Sequence, residues 1–171
     1  SYGREDATAC DSYTWTNHGT TNTYTTSGTY TNNYSTVYPG IINCSSVDTL
    51  VLTIKNNTNT AYTTTACDSY TWNNHGNSVV YTTSGTYTNS YTAVNGCPSV
   101  DTLYLTVNYN SNASDTQTAC DSYTRTNHGN VNTYTASGTY YSSYNNGVGC
   151  ASVDTLYLTI KYNSNASETQ T

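Results

Sequence analysis

Cysteine, histidine and aspartate hold most of the chemistry open to this 171-residue chain, and each recurs at near-constant spacing. There are six cysteines (Cys10, Cys44, Cys67, Cys97, Cys120, Cys150), three histidines (His18, His75, His128) and three aspartate pairs (Asp11/Asp48, Asp68/Asp101, Asp121/Asp154). Paired carboxylates can do acid–base work or hold calcium. No nucleophile, general base or oxyanion device accompanies these, and a catalytic site repeated three times in tandem would be unusual. They read instead as caps on nearby amides, helped by the Ser or Thr that follows. Calcium at a junction between units is the alternative. The histidines sit in identical Asn-His-Gly turns and read as solvated turn residues, with a stacked metal-binding ladder as the competing reading. The cysteines lack the CxxC spacing usual in zinc sites. The expectation is a protein that is not an enzyme and needs no cofactor.

Six cysteines in a polar chain read as disulfides. Two connectivities respect the repeats. Pairing within units gives Cys10–Cys44, Cys67–Cys97 and Cys120–Cys150, each worth about 3–4 kcal/mol in the chain-entropy model. Pairing between units gives Cys44–Cys67 and Cys97–Cys120, both spaced by 23 residues, and strands Cys10 and Cys150. Within-unit pairing is preferred because it orphans no thiol.

The elements that must position these groups follow from the repeat. "ACDSYTW" at Ala9–Trp15 returns at Ala66–Trp72, and as "ACDSYTR" at Ala119–Arg125. Cys10 to Cys67 is 57 residues and Cys67 to Cys120 is 53. The expected organisation is an N-terminal extension, 1–8, and repeats at 9–65, 66–118 and 119–171. Thr, Asn, Ser and Tyr make up 100 of the 171 residues. Helix formers are few, and Tyr, Thr and Val recur between turn residues, so the fold class is all-β. The net charge of −6 argues against a nucleic-acid partner. No apolar run is long enough for a membrane helix.

In "SVDTLYLTV" strict alternation puts Leu103, Leu105 and Val107 on one face, and Val100, Thr102, Tyr104 and Thr106 on the other. Leu50/Leu52/Ile54 and Leu156/Leu158/Ile160 repeat the pattern. Asn17-His18-Gly19 and its copies are expected as three-residue hairpin loops. A three-residue loop at Thr26-Ser27-Gly28 would set Tyr24 opposite Tyr30, and its copies Tyr81 opposite Tyr87 and Tyr134 opposite Tyr140, as cross-strand pairs. So thin an aliphatic core needs staples. Because one copy carries Arg, the position of Trp15, Trp72 and Arg125 is expected to be partly exposed and to be an interface candidate. Thr49, Thr102 and Thr155 face away from the leucines and are open to modification. Sequons at Asn33, Asn43, Asn56, Asn112 and Asn165 are weak N-glycosylation candidates in a chain so rich in Asn and Thr.

Thr65–Val107, "TACDSYTWNNHGNSVVYTTSGTYTNSYTAVNGCPSVDTLYLTV", resembles tandem repeats of large secreted surface proteins of Bacteroidetes-type bacteria. The resemblance covers nearly the whole chain, three times over; Arg125 and the Tyr38–Ile41 insertion "YPGI" depart from it. It implies export, an adhesin-like or matrix-like role, and small Ig-like β-sandwiches in tandem. It also implies O-glycosylation at Asp-Ser/Thr-aliphatic motifs, which Thr49, Thr102 and Thr155 match well, and Ser12, Ser69 and Ser122 loosely. The expected function is an extracellular structural repeat protein: an adhesin stalk or a subunit of a glycosylated surface fibre. Its expected partner is itself, by head-to-tail assembly or as a longer repeat array, because "YNSNASETQT" at Tyr162–Thr171 nearly copies the linker at Tyr109–Thr118. The alternative is a lectin-like module that recognises glycans through exposed Tyr and Asn.

Overall fold

The structure, a computed structural model, describes residues 2–38 and 41–163. These form fifteen β-strands and no helix. The first five are β1 (Tyr2–Cys10), β2 (Tyr13–Asn17), β3 (Thr20–Tyr24), β4 (Gly28–Tyr38) and β5 (Ile41–Lys55). The next are β6 (Ala61–Cys67), β7 (Tyr70–Asn74), β8 (Asn77–Tyr81), β9 (Gly85–Thr92) and β10 (Pro98–Asn108). The last are β11 (Ala113–Cys120), β12 (Tyr123–Asn127), β13 (Asn130–Tyr134), β14 (Gly138–Asn145) and β15 (Ala151–Lys161). Each set of five makes a three-stranded sheet and a two-stranded one: β1-β5-β4 and β2-β3, β6-β10-β9 and β7-β8, β11-β15-β14 and β12-β13. In the first and third sets the opening strand runs parallel to the last strand, which sits between it and an antiparallel neighbour.

The opening strands extend the sequence-based boundaries. Residues 2–8, expected as an extension, lie in β1 and pair with Val47–Thr53 of β5. Polar, small residues such as those of Gly3–Thr8 carry no large apolar alternation, so the strand is made by its neighbour rather than by its own pattern. The chain divides into two compact units, Ser1–Thr63 with Thr86–Tyr104, and Thr64–Gly85 with Leu105–Thr171.

In the first unit Trp15, Leu50 and Leu52 are buried, with Ala7, Tyr13, Tyr24, Tyr30 and Ile54 packed against them. In the second unit Leu156, Leu158 and Ile160 are buried against Ala119, Tyr123, Tyr134 and Tyr140. The alternation read from the last strands holds: Leu103, Leu105 and Val107 are buried while Val100 and Tyr104 are exposed. Thr14 meets Thr23 and Thr16 meets Thr21 across β2-β3, hydroxyl to hydroxyl, on its exposed side. Thr–Thr pairs of this kind stabilise a ladder without apolar area.

Three local expectations are corrected. The hairpin turn is two residues long, since Asn17 pairs with Thr20. His18 and Gly19 both take positive φ, 47° and 78°, as the type I′ turn requires. The tyrosines do meet, Tyr24 on Tyr30 with ring centroids 3.8 Å apart and Tyr134 on Tyr140 at 4.0 Å. They are not partners across a hairpin, because β3 pairs with β2 and β4 with β5. The Thr-Ser-Gly segment instead crosses between sheets, where Ser27 Oγ accepts from Ile54 N (2.8 Å) and donates to Ile54 O. Ser84 on Val107 and Ser137 on Ile160 do the same. One hydroxyl thus replaces a strand residue and satisfies both backbone groups.

The third correction concerns Trp15 and Trp72. They are 4% and 6% exposed, not partly exposed as expected. Trp15 faces inward from β2, and its indole N–H donates to Glu5 Oε2 at 2.9 Å. Arg125 is half-buried at the equivalent place. A long flexible stem lets arginine cover apolar surface while its head reaches water, so a buried Trp and an Arg can share one position.

Candidate functional site

Two arrangements recur. The first is a carboxylate clamp inside the first and third repeats. Alternation puts Asp48 on the same face of β5 as Leu50, where it meets three groups from two segments. Gly3 N donates to Oδ1 at 2.9 Å, Asn17 Nδ2 to Oδ2 at 3.1 Å, and His18 Nε2 meets Oδ2 at 2.9 Å. His18 lies flat on Tyr34, centroids 3.5 Å apart. In the third repeat Asp154 takes the same set from Ala113 N, Asn127 Nδ2 and His128 Nε2, with His128 stacked on Tyr144. His18 and His128 therefore do more than fill a turn: they hold the hairpin turn to the larger sheet. Burial pushes the Asp48 carboxyl up, but the bonds from Asn17, Gly3 and His18 outweigh it and leave it below the usual carboxylate range. Asp154 is lowered too, by Asn127 and then His128, against burial.

The second arrangement is the joint between successive repeats. Cys10 is bonded to Cys97, and Cys67 to Cys150. This corrects both expected connectivities: the first cysteine of one repeat meets the second cysteine of the next. The sequence separations, 87 and 83, exceed those of either expected scheme. Loops this long remove about 4.5 kcal/mol of unfolded-state entropy each in the chain-entropy model, if they act independently. Spacing compares neighbours along the chain, whereas the linker is bonded to the start of the next repeat's central strand, beside its second cysteine. Cys44 and Cys120, both exposed, stand outside the two disulfides.

Each disulfide is flanked by the same hydrogen bonds. Asp11, at φ 62°, accepts from Asn57 N and Asn57 Nδ2. Thr58 N donates to Ser99 Oγ, Tyr91 OH to Thr58 O, Thr60 N to Asp101 Oδ1, and Val100 N to Asn59 Oδ1. At the next joint Asp68 takes Asn110, Ser111 N donates to Ser152 Oγ, Tyr144 OH to Ser111 O, and Val153 N to Asn112 Oδ1. The expected capping role of the aspartates is real but split: Asp11, Asp68 and Asp121 cap the linker that follows, while Asp48 and Asp154 anchor the opening strand.

No family model matches the chain, and no curated protein is similar to it.

The remaining candidates are dispersed. Thr49, Thr102 and Thr155 are half-buried on the outer sheet faces, and Ser12, Ser69 and Ser122 are exposed. Asn33 and Asn56 are exposed, and Asn112 is engaged with Val153. The side chain of Asn43 and all of Asn165 lie outside the described residues. Among the described residues no three His, Cys, Asp or Glu side chains converge as a metal site, and no helix is long and apolar enough to cross a membrane. A cavity of about 180 Å³ beside Asp48 is lined by Gly3, Arg4, Glu5, Trp15, Asn17 and Thr49. Its Glu5 accepts from Tyr13 OH and Trp15 Nε1, and Tyr13 is raised by that carboxylate.

Proposed function

We propose that the chain is a structural repeat protein of the cell exterior, three tandem Ig-like β-sandwiches serving as an adhesin stalk or a fibre subunit. The joint carries this reading. Two successive junctions use the same disulfide, the same Asp–Asn cap and the same serine receptor, which is what a periodic array needs and a single binding site does not. Disulfides also fit an oxidising compartment. Thr49, Thr102 and Thr155, on outward strand faces, are the proposed glycan attachment points. Intact mass of native material above 18.5 kDa by a sugar increment is expected; a bare-chain mass would sink the glycan part. Electron microscopy should show native material as thin linear particles with a repeat at the spacing of the joints. Discrete compact particles would overturn the fibre. The lectin-like alternative draws on exposed tyrosines such as Tyr104, Tyr141 and Tyr157; the cavity beside Asp48 adds nothing to it, because its tryptophan is buried and bonded to Glu5 rather than presented to a sugar face.

A further inference from the structure

Asparagine followed by glycine occurs at Asn95-Gly96 and Asn146-Gly147, and both pairs lie in a loop that ends at a joint cysteine, Cys97 or Cys150. The two loops share one backbone pattern. Ala93 N donates to Cys97 O and Gly96 N to Ala93 O; Asn146 N donates to Cys150 O and Gly149 N to Asn146 O. The asparagine stands at a different place in each. Asn95 is third in its turn, so Gly96 is the residue that closes it. Asn146 is first in its turn, and Gly147 lies inside it. Each side chain also reaches back to the linker. Asn95 Nδ2 donates to Asn56 O at 2.7 Å, and Asn146 Nδ2 to Tyr109 O at 2.8 Å.

That shift of position opens Asn146 to attack by its own backbone. Its Oδ1 accepts from Val148 N at 3.2 Å and from Cys150 N at 2.9 Å. A side-chain bond to the amide two residues on folds the carboxamide back over the following peptide, which brings Cγ toward Gly147 N. Two backbone donors on one oxygen are also the arrangement that stabilises the negative charge developing there when a nucleophile adds to a carbonyl. Gly147 N has no hydrogen-bond partner among the described residues, and Gly147 is exposed. A glycine puts no side chain in the path of the attack. At Asn95 the same approach is opposed. Gly96 N is committed to Ala93 O at 2.8 Å with Gly96 at φ 87°, and among the described residues Oδ1 accepts from a single amide, Cys97 N.

We propose that Asn146 is a modification site, deamidated without an enzyme through the loop that holds it. Gly147 N gives up its proton to solvent and forms a bond to Asn146 Cγ. The tetrahedral intermediate then expels Nδ2, which takes up a proton from solvent and leaves as ammonia. Water opens the resulting succinimide at either carbonyl, to aspartate or to isoaspartate. Water is consumed, ammonia is released, and nothing is oxidised or reduced. The consequence falls on the second joint. The new carboxylate keeps its acceptor role toward Val148 N and Cys150 N, but it has no proton to donate to Tyr109 O and sets an anion against that carbonyl. The isoaspartyl product also lengthens the backbone inside the turn. The linker loses a bond while Cys67–Cys150 stays closed. The site is independent of the fibre reading, and it marks the second joint with age in a way that the first resists.

The test ages the full chain in mildly alkaline, ammonia-free buffer, with Cys10–Cys97 and Cys67–Cys150 verified by peptide mapping, and follows both asparagines by mass spectrometry. In the folded chain Asn146 should convert several-fold faster than Asn95, to aspartate and isoaspartate. Once the chain is reduced and unfolded, the two should convert at comparable rates. Gly147→Ala adds a methyl that meets nothing within 4 Å, at a residue outside the positive-φ set. It should keep both disulfides and slow the conversion of Asn146 several-fold. Asn95 converting as fast as Asn146 in the folded chain would overturn the proposal. An Asn146 that converts only after unfolding, or as fast in Gly147→Ala, would do the same. Hydrogen exchange of the aged chain should rise at Asn110 and Ser111, whose amides bond Asp68 and Ser152; unchanged exchange there would overturn the stated effect on the joint.

Discussion

The first and third repeats bury different cores under the same frame. In the first, Trp15 fills the space under the hairpin and donates to Glu5, which also receives Tyr13. In the third, Arg125 stands at that place, Ile160 joins the buried set, and Asp115, the counterpart of Glu5, turns to Gln117. Both keep the leucine pair, the stacked tyrosines, the serine that bonds the last strand and the Asp–His–Asn clamp. The difference teaches that the frame is held by recurring polar contacts and the aliphatic strand, while the large side chain under the hairpin is interchangeable at a cost that depends on its surroundings.

The sharpest way to break that comparison is to truncate the differing residue in each repeat. Trp15→Ala should destabilise the first repeat by about 3–5 kcal/mol, as large-to-small changes in cores do. Arg125→Ala should change the third by no more than about 0.5–1 kcal/mol, in the range of surface substitutions. Hydrogen exchange resolved by repeat is the suitable measurement, since tandem arrays need not unfold in one step. Equal losses would mean that arginine packs as tryptophan does. The shared clamp should give an intermediate loss for Asp48→Asn and for Asp154→Asn alike, because each replaces a charged acceptor of three hydrogen bonds by a neutral amide. Titration sharpens the point. Both carboxyls are lowered in the folded chain, so their contribution is full above about pH 4 and is lost as pH falls through the lowered folded values. Tyrosine fluorescence during acid titration should show this loss in the parent and a weaker one in each Asn variant; identical acid profiles would exclude the clamp as its source. The smallest expected effect is at the stacked pairs: Tyr24→Leu and Tyr134→Leu should each cost about 0.5–1.5 kcal/mol by denaturant titration.

Much of the fold was legible. The period-2 pattern of "SVDTLYLTV" fixed which side chains are buried, and the same parity already placed Asp101 and Asp154 on the core face beside the leucines, a signal that alternation carries and polarity obscures. The Asn-His-Gly turn could be read as a turn, but not its length, because I′ and longer loops share those residues. β1 and β11 were missed because a parallel edge strand is made by the strand it joins. The disulfides were missed for a related reason: the pairing depends on which strand the linker docks on, and that is set by bonds such as Thr58 to Ser99 and Ser111 to Ser152. Tryptophan was misplaced by treating Arg125 as evidence about Trp15, when the two sit in different surroundings.

The overlap of the two disulfides has a mechanical meaning. Cys10–Cys97 and Cys67–Cys150 enclose overlapping stretches of chain, so a pull applied across Cys10 and Cys150 does not load the backbone in series. The taut covalent path crosses from Cys10 to Cys97, runs back along the chain to Cys67 and crosses to Cys150. Even with every sheet undone, that path can lengthen to only roughly 100 Å at ~3.3–3.6 Å per residue, a small fraction of the contour between its ends. The staggered bonds act as a tether that limits strain, and slack chain on either side stays free to refold when the load is released.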